Sequence, residues 1–238
     1  MARKRISPPD SILGWPEAEA AHVPLDRVRI LQTALQVLDE IGLKELSMRK
    51  IADKLQVKTA SLYYHFKDKE QLMQLLSDKI SGEMVWPEAS LPWKEQVLQW
   101  GIQFRKVLLQ HRDAVELFQL TIGVGYQRLT QIEKLYQLFV SAGFADPQIP
   151  WIASMLKNYV LGFVAEETRL HAFAGDEDHG SFEAMGERYS RFFQQLPEEK
   201  FPNTIRLAPH ITNTDWEKEF SFGLSVLIEG FSTKLPQE

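Results

Sequence analysis

The chain has 238 residues, 27 Lys+Arg against 32 Asp+Glu, a net charge of -5 and no cysteine. An apolar fraction of 44% is that of an ordinary globular protein, which excludes disordered and collagen-like classes. The missing cysteines exclude disulfide scaffolds, thiolate zinc sites and cysteine nucleophiles. The length allows one large domain or two unequal ones.

Charge is unevenly placed. Residues 1–70 hold 12 basic and 10 acidic side chains, whereas the remainder holds 15 and 22. A mildly basic head on an acidic body is compatible with nucleic-acid contact through the head. Residues 1–24 open with Arg3-Lys4-Arg5 and carry Pro8, Pro9, Pro16 and Pro24 in place of the apolar core of a secretory signal. They read as a flexible arm, with minor-groove contact by the three basic residues as the alternative. The densest apolar stretch, Trp151 to Ala165, contains Lys157 and is shorter than the roughly 20 residues that cross a bilayer. A cytoplasmic protein with no membrane partner is expected.

Helical periodicity then runs along the chain. From Asp26, Val28, Leu31, Leu35 and Leu38 form one stripe, with Ala34 and Ile41 beside it, and Gly42 ends this first helix. Ser47 is placed as the N-cap of a short second helix with Met48, Ile51, Ala52 and Leu55 inward. Gln56-Val57-Lys58 make the break, and a third short helix follows through Ser61, Leu62 and Phe66. Asp68 and Gln71 read as a capping box for a fourth helix carrying Leu72, Leu75, Leu76 and Ile80. Gly82 to Pro92 is a connector.

In the body, Trp93, Val97, Trp100, Phe104 and Leu108 mark one face of a helix ending near His111-Arg112-Asp113. Another, with Leu129, Ile132, Tyr136 and Phe139 as its seam, stops at Gly143. Trp151 to Ala174 is apolar on almost every side in its first turns, so two of its faces require cover. Gly175 to Gly180 is an acidic loop, and a polar, proline-bearing stretch runs from Pro197 to Pro209. Thr214 and Glu217 read as a capping box for a last helix, Asp215 to Phe231. One of its faces carries Phe220, Leu224, Leu227 and Phe231, another Phe222 and Val226. Gly223 and Gly230 leave a strip open to close approach by another helix. No strand pattern and no internal repeat is found, so the fold class is all-α.

Two short helices across a tight turn, held on a longer first helix, outline a helix-turn-helix unit whose second helix enters the major groove. The segment Lys58-Thr59-Ala60-Ser61-Leu62-Tyr63-Tyr64-His65-Phe66 keeps only Leu62 and Phe66 clearly inward. Its outer hydroxyls, phenols and imidazole suit phosphates and base edges. Arg49, Lys50 and Lys69 stand where phosphates are within reach.

The run Leu46-Ser47-Met48-Arg49-Lys50-Ile51-Ala52-Asp53-Lys54-Leu55, with Val57 and then Ser61-Leu62-Tyr63-Tyr64-His65-Phe66-Lys67-Asp68-Lys69-Glu70-Gln71-Leu72, closely resembles the DNA-binding domain of the TetR family of transcriptional repressors. The Leu109 to Asp113 segment and the Phe220 to Leu224 helix resemble that family's regulatory domain more loosely. The resemblance implies a homodimer with three parts: the arm 1–24, a three-helix DNA-binding domain with its connecting helix over 25–82, and a helical ligand-binding and dimerisation domain over 83–238. It implies that Arg49, Thr59, Ala60, Ser61, Tyr63, Tyr64, His65 and Lys69 face DNA, with Ser47 and Lys58 close by. Tyr63 and Lys69 are expected on phosphate, and Thr59, Ala60, Ser61 and Tyr64 on base edges.

Two departures from the family pattern matter. Gln56 replaces the common turn glycine and is expected to adopt a left-handed conformation at a cost of about 1 kcal/mol. Phe118 stands where tetracycline repressors carry a magnesium-binding histidine, and Val85 and Trp100 replace polar drug contacts, so a magnesium–tetracycline effector is not expected. The body instead offers Trp100, Phe104, Phe118, Tyr136, Met155, Tyr159 and Phe163, with Thr121 the main polar candidate. That set suits a small apolar or aromatic effector, against the alternative that these side chains are simply core.

The expected function is a ligand-responsive repressor on a pseudo-palindromic operator, with no cofactor and no metal. The alternative is a helix-turn-helix activator, or a regulator that binds a protein partner without an effector. No Gly-x-Ser-x-Gly elbow, phosphate loop or His-Glu-x-x-His pair is present, so no enzyme is expected. A hydrolase using His171, Asp176, Asp178 and His179 is the remaining enzymatic reading, against a solvated loop.

Overall fold

The computed structural model describes residues 25–174, 182–212 and 215–236. Among them the chain is all-helical, with no strand. Two compact units are distinguishable, divided within the eighth helix: residues 1–154 with the C-terminal 235–238, and residues 155–234.

In the first unit, α1 (Leu25–Ile41), α2 (Met48–Leu55) and α3 (Thr59–Tyr63) form the N-terminal group. The Ser47 hydroxyl caps α2 by accepting from Lys50 N, and Leu62 and Phe66 are each 1% exposed beneath α3. Gln56 closes α2 at φ 59 and ψ 38, the left-handed conformation expected of it. Val28 departs from expectation: it is 56% exposed, and the inward stripe of α1 is Ile30, Ala34, Leu35, Val37 and Leu38.

The fourth helix, α4 (Lys69–Ser81), starts at Asp68, whose carboxylate accepts from Gln71 N at 2.7 Å. Gln71 Oε1 answers by accepting from Lys67 N rather than from the cap residue itself. Helix α5 (Trp93–Gln110) follows the connector. A seven-residue helix, α6 (Ala114–Leu120), is one the sequence pattern does not mark; it buries Ala114, Leu117 and Phe118. Helix α7 (Tyr126–Ser141) buries Leu135 and Phe139 and ends before Gly143 at φ +91.

Helix α8 (Ile149–Ala174) begins in the first unit and continues into the second. The second unit adds α9 (Phe182–Gln194), α10 (Pro202–Ile211) and α11 (Trp216–Ser232). Helix α9 is likewise unmarked by the sequence pattern. Helix α10 lies largely within the polar, proline-bearing stretch, which the sequence pattern does not mark as a helix: Pro202 stands in its first turn, where a missing N–H costs nothing. The cap of α11 also differs from expectation. Asp215, not Thr214, accepts from Lys218 N, and Thr214 lies outside the described residues. Phe220, Leu224, Ile228 and Phe231 are its buried face, so Ile228 takes the place expected of Leu227. Gly223 permits a close approach to the Tyr159 phenol, where a Cβ would collide.

Candidate DNA interface and effector site

The N-terminal group presents an exposed polar surface built on a buried apolar one. Leu62 and Phe66 anchor α3 from below, and the backbone of His65 and Phe66 turns back onto the Leu62 carbonyl. That leaves Tyr63 54% and Tyr64 86% exposed. Lys58, Ala60 and Ser61 are exposed with them, while Thr59, His65 and Lys69 are half-buried. Rings of this size left open to solvent cost apolar exposure and are a feature of binding surfaces. On α2, Arg49 is exposed with only a loose approach to Asp53, 3.9 Å, so its guanidinium is available to a phosphate. Ser47 is half-buried and already used as a cap.

Behind this surface, α1 is tied to the α5–α6 turn. His111 Nδ1 lies 3.1 Å from Asp39 and Nε2 lies 2.7 Å from Glu83. Leu43 N donates to Asp113 at 2.7 Å, and the Arg112 guanidinium donates to the Glu40 carbonyl at 3.0 Å. Burial opposes charging of His111, but the two carboxylates outweigh it and hold the imidazole above its ordinary value. Asp113 adopts a left-handed φ of 56 to make its bond.

Of the expected effector residues, those on α5 and α6 form one buried row. Trp100 and Phe104 have ring centroids 5.4 Å apart, and Phe104 and Phe118 5.6 Å. All three are under 8% exposed. The Arg128 guanidinium lies 4.7 Å over the Phe118 ring. Thr121 is committed on both sides of its hydroxyl: it donates to the Leu117 carbonyl at 2.7 Å and accepts from Arg128 at 2.8 Å. The Trp100 N–H is buried and meets no partner among the described residues. Tyr136 is half-buried on α7.

The others fall in the second unit. Met155 is 50% exposed. Tyr159 and Phe163 pack on Phe220 of α11, at 5.5 and 5.1 Å between centroids, and the Tyr159 hydroxyl donates to the Phe220 carbonyl. An open cleft of about 480 Å³ in that unit is lined by other residues, including Phe173, Tyr189 and Ile211. Among the described residues no group of three metal-ligating side chains occurs. His171 is described and exposed, whereas Asp176, Asp178 and His179 lie outside the described residues, as do Arg3-Lys4-Arg5.

Three residues that sequence reasoning passes over connect the row to α4. The Gln74 carboxamide pairs with both backbone polar groups of Ile122, donating to its carbonyl and accepting from its N–H. Asp78 accepts from Arg128 N at 2.9 Å, supplying from α4 the cap that Gly125 cannot give α7. Gly125 is needed there because a Cβ would meet the Asp78 carboxylate. Burial raises the Asp78 pKa despite those N–H donors and lowers that of Arg128 despite Asp78. The available signal was the placement of Gln74 and Asp78, an i,i+4 pair of polar residues on a helix otherwise read by its leucines. Gln131 adds a bond to the Ser81 carbonyl at 3.1 Å.

No helix among the described residues is long and apolar enough to cross a membrane. Residues 30–76 match the family model for bacterial regulatory proteins of the tetR family. Residues 87–235 match the tetracyclin repressor-like C-terminal domain. An HTH-type transcriptional regulator of Saccharopolyspora erythraea is 28% identical over 94% of this chain and 92% of its own length. The class E tetracycline repressor protein of Escherichia coli is 31% identical over 92% and 95%. The structure of the Streptomyces coelicolor TetR family protein ActR in complex with actinorhodin is 28% identical, covering 90% of this chain and all of that one, with a TM-score of 0.80. With both family models matched in order along the chain, it belongs to the TetR family of DNA-binding transcriptional regulators.

Proposed function

We propose that this protein is a ligand-responsive repressor, which occupies a pseudo-palindromic operator as a homodimer and leaves it when a small, flat aromatic effector enters the first unit. TetR-family regulators bind operator DNA as dimers and take small-molecule ligands. The observation that carries the effector half is the buried row Trp100–Phe104–Phe118, whose far end is bonded to α4 through Arg128, Ile122, Gln74 and Asp78. The structure of the TetR family protein ActR in complex with actinorhodin supports a small-molecule effector.

In this reading Arg49, Tyr63 and Lys69 hold phosphates, with Ser47, Lys58 and His65 beside them. Thr59, Ala60, Ser61 and Tyr64 read base edges. Trp100, Phe104, Phe118, Thr121 and Tyr136 receive the effector, and Met155, Tyr159 and Phe163 are further candidates read from the apolar composition of the body. A ligand that repacks Phe118 shifts Arg128 and the Ile122 peptide, and Gln74 and Asp78 pass that shift to α4. Because α4 begins directly after the recognition segment, its movement changes the separation of the two recognition helices in the dimer. The effector releases DNA only insofar as it binds the incompetent arrangement more tightly.

Selection of purified protein on a random duplex library at about 0.15 M salt, where non-specific binding is weak, tests the DNA half. An enriched inverted repeat is the expected result. A single unrepeated half-site, or no enrichment from folded dimer, would overturn it.

A further inference from the structure

At the Phe118 end of the aromatic row the polar side chains Thr121 and Arg128 are both engaged. Thr121 bonds Leu117 and Arg128, and Arg128 bonds Thr121 and the Ile122 carbonyl. Trp100 is 6% exposed, yet its Nε1–H has no partner among the described residues. Buried N–H groups of native proteins almost always find an acceptor, and an indole in a buried place is normally there because its donor is used. A phenylalanine, as at the adjacent Phe104 and Phe118, would line the same row without the orphan.

We propose that the Trp100 Nε1–H is the hydrogen-bond donor to the effector, and that the effector therefore carries a neutral carbonyl oxygen on a flat aromatic frame. This rests on the reading of the row as the effector site. The indole N–H can only donate, so its partner is an acceptor. Neutrality follows from two neighbours along the row. The ring beside Trp100 is Phe104, and the cation of the row, Arg128, stacks on Phe118 and is engaged with Thr121. A carboxylate at Trp100 would be desolvated against aromatic carbon without a counter-charge. A carbonyl set in a ring system places its oxygen in the ring plane, where an N–H donor aligns best.

The matched probes are 9-fluorenone and fluorene, which share one tricyclic shape and differ at the carbonyl. Calorimetric titration of the full-length protein should give binding of fluorenone about tenfold tighter than fluorene, the increment expected when a buried donor gains its acceptor. Trp100→Phe should bring the two within about twofold of each other by the same reasoning. Equal affinity in the wild type, or a preference that survives in Trp100→Phe, overturns the proposal. Should Trp100→Phe fold poorly, the wild-type protein with 15N-labelled tryptophan still decides. One indole N–H resonance should move downfield with fluorenone and stay with fluorene, and no such movement overturns the proposal. The underlying reading is separable with Phe104→Ala. If both probes bind alike and Phe104→Ala weakens both, the effector site stands and the Trp100 donor falls. If neither probe binds, the aromatic effector site falls and the proposal with it.

Discussion

At residue scale the N-terminal surface separates two kinds of contact. In the proposed reading Arg49 and Lys69 place their charges on phosphate, which is the same for any sequence, whereas Thr59 on α3 and Tyr64 at its C-cap meet base edges. Arg49→Ala and Lys69→Ala should each weaken binding to all duplexes and reduce the slope of log affinity against log salt by about one. Tyr64→Ala should instead relax preference at one base position, by about 1–3 kcal/mol of discrimination. Competition binding with single-base operator variants separates the two outcomes. Unchanged discrimination in Tyr64→Ala would remove it from the base-reading set.

His111 makes a second residue-scale case. Its pKa is raised above its ordinary 6.5 in the folded protein, so the folded state binds its proton more tightly than the unfolded chain does. The resulting stability is complete below about pH 6.5 and is lost as pH rises through the higher folded value. The difference in unfolding free energy between wild type and His111→Gln should therefore shrink from pH 6 to pH 9, as urea titrations at each pH would show. A difference that grows with pH would contradict the clamp formed by Asp39 and Glu83.

At the scale of elements, α4 is the piece on which the proposed mechanism depends, because it follows the recognition segment and is bonded by Gln74 to Ile122 in the α6–α7 turn and by Asp78 to the first turn of α7. Asp78→Ala removes the cap of α7 and should cost about 1 kcal/mol, measured by urea unfolding. Gln74→Met keeps the length and volume of the side chain while deleting both bonds to Ile122. It should leave ligand and operator affinities near wild type but weaken their mutual antagonism, which calorimetry of each ligand in the presence of the other reads directly. Undiminished antagonism would place the coupling elsewhere.

These elements also show how far the sequence reaches. Caps are local, and Ser47, Asp68 and the left-handed Gln56 were legible because each bond spans three or four residues. Gln56→Gly should accordingly raise stability by up to about 1 kcal/mol. Helix α6 was hidden by its seven-residue length, too short for a periodic apolar stripe to stand out. Helix α10 was hidden by Pro202 and Pro209, which count against a helix only when their position in it is unknown. The aromatic row was readable from i,i+4 spacing on α5. Gln74, Asp78 and Arg128 were not, since their bonds join residues about 50 positions apart.

At the scale of the molecule, α11 keeps an apolar face that its own unit does not cover: Phe222 is 71% and Val226 54% exposed. On α8, Trp151 and Met155 are 67% and 50% exposed. These exposed positions on α8 are what the partner covers in the proposed dimer, in line with the expectation that two faces of this helix require cover. Phe222→Glu should shift the protein towards monomer in sedimentation analysis and, with one recognition helix per particle, lose most of its operator affinity. A Phe222→Glu protein that stays dimeric would move the interface away from this face.

Ligand-controlled DNA binding is measured most directly by the fluorescence anisotropy of a labelled duplex carrying the selected inverted repeat. Titrated with protein, the duplex should saturate at two chains each. Fluorenone added to that complex should then lower the anisotropy towards that of free DNA, over the concentration range in which calorimetry shows the site filling. Anisotropy that holds steady while the site fills would contradict the account.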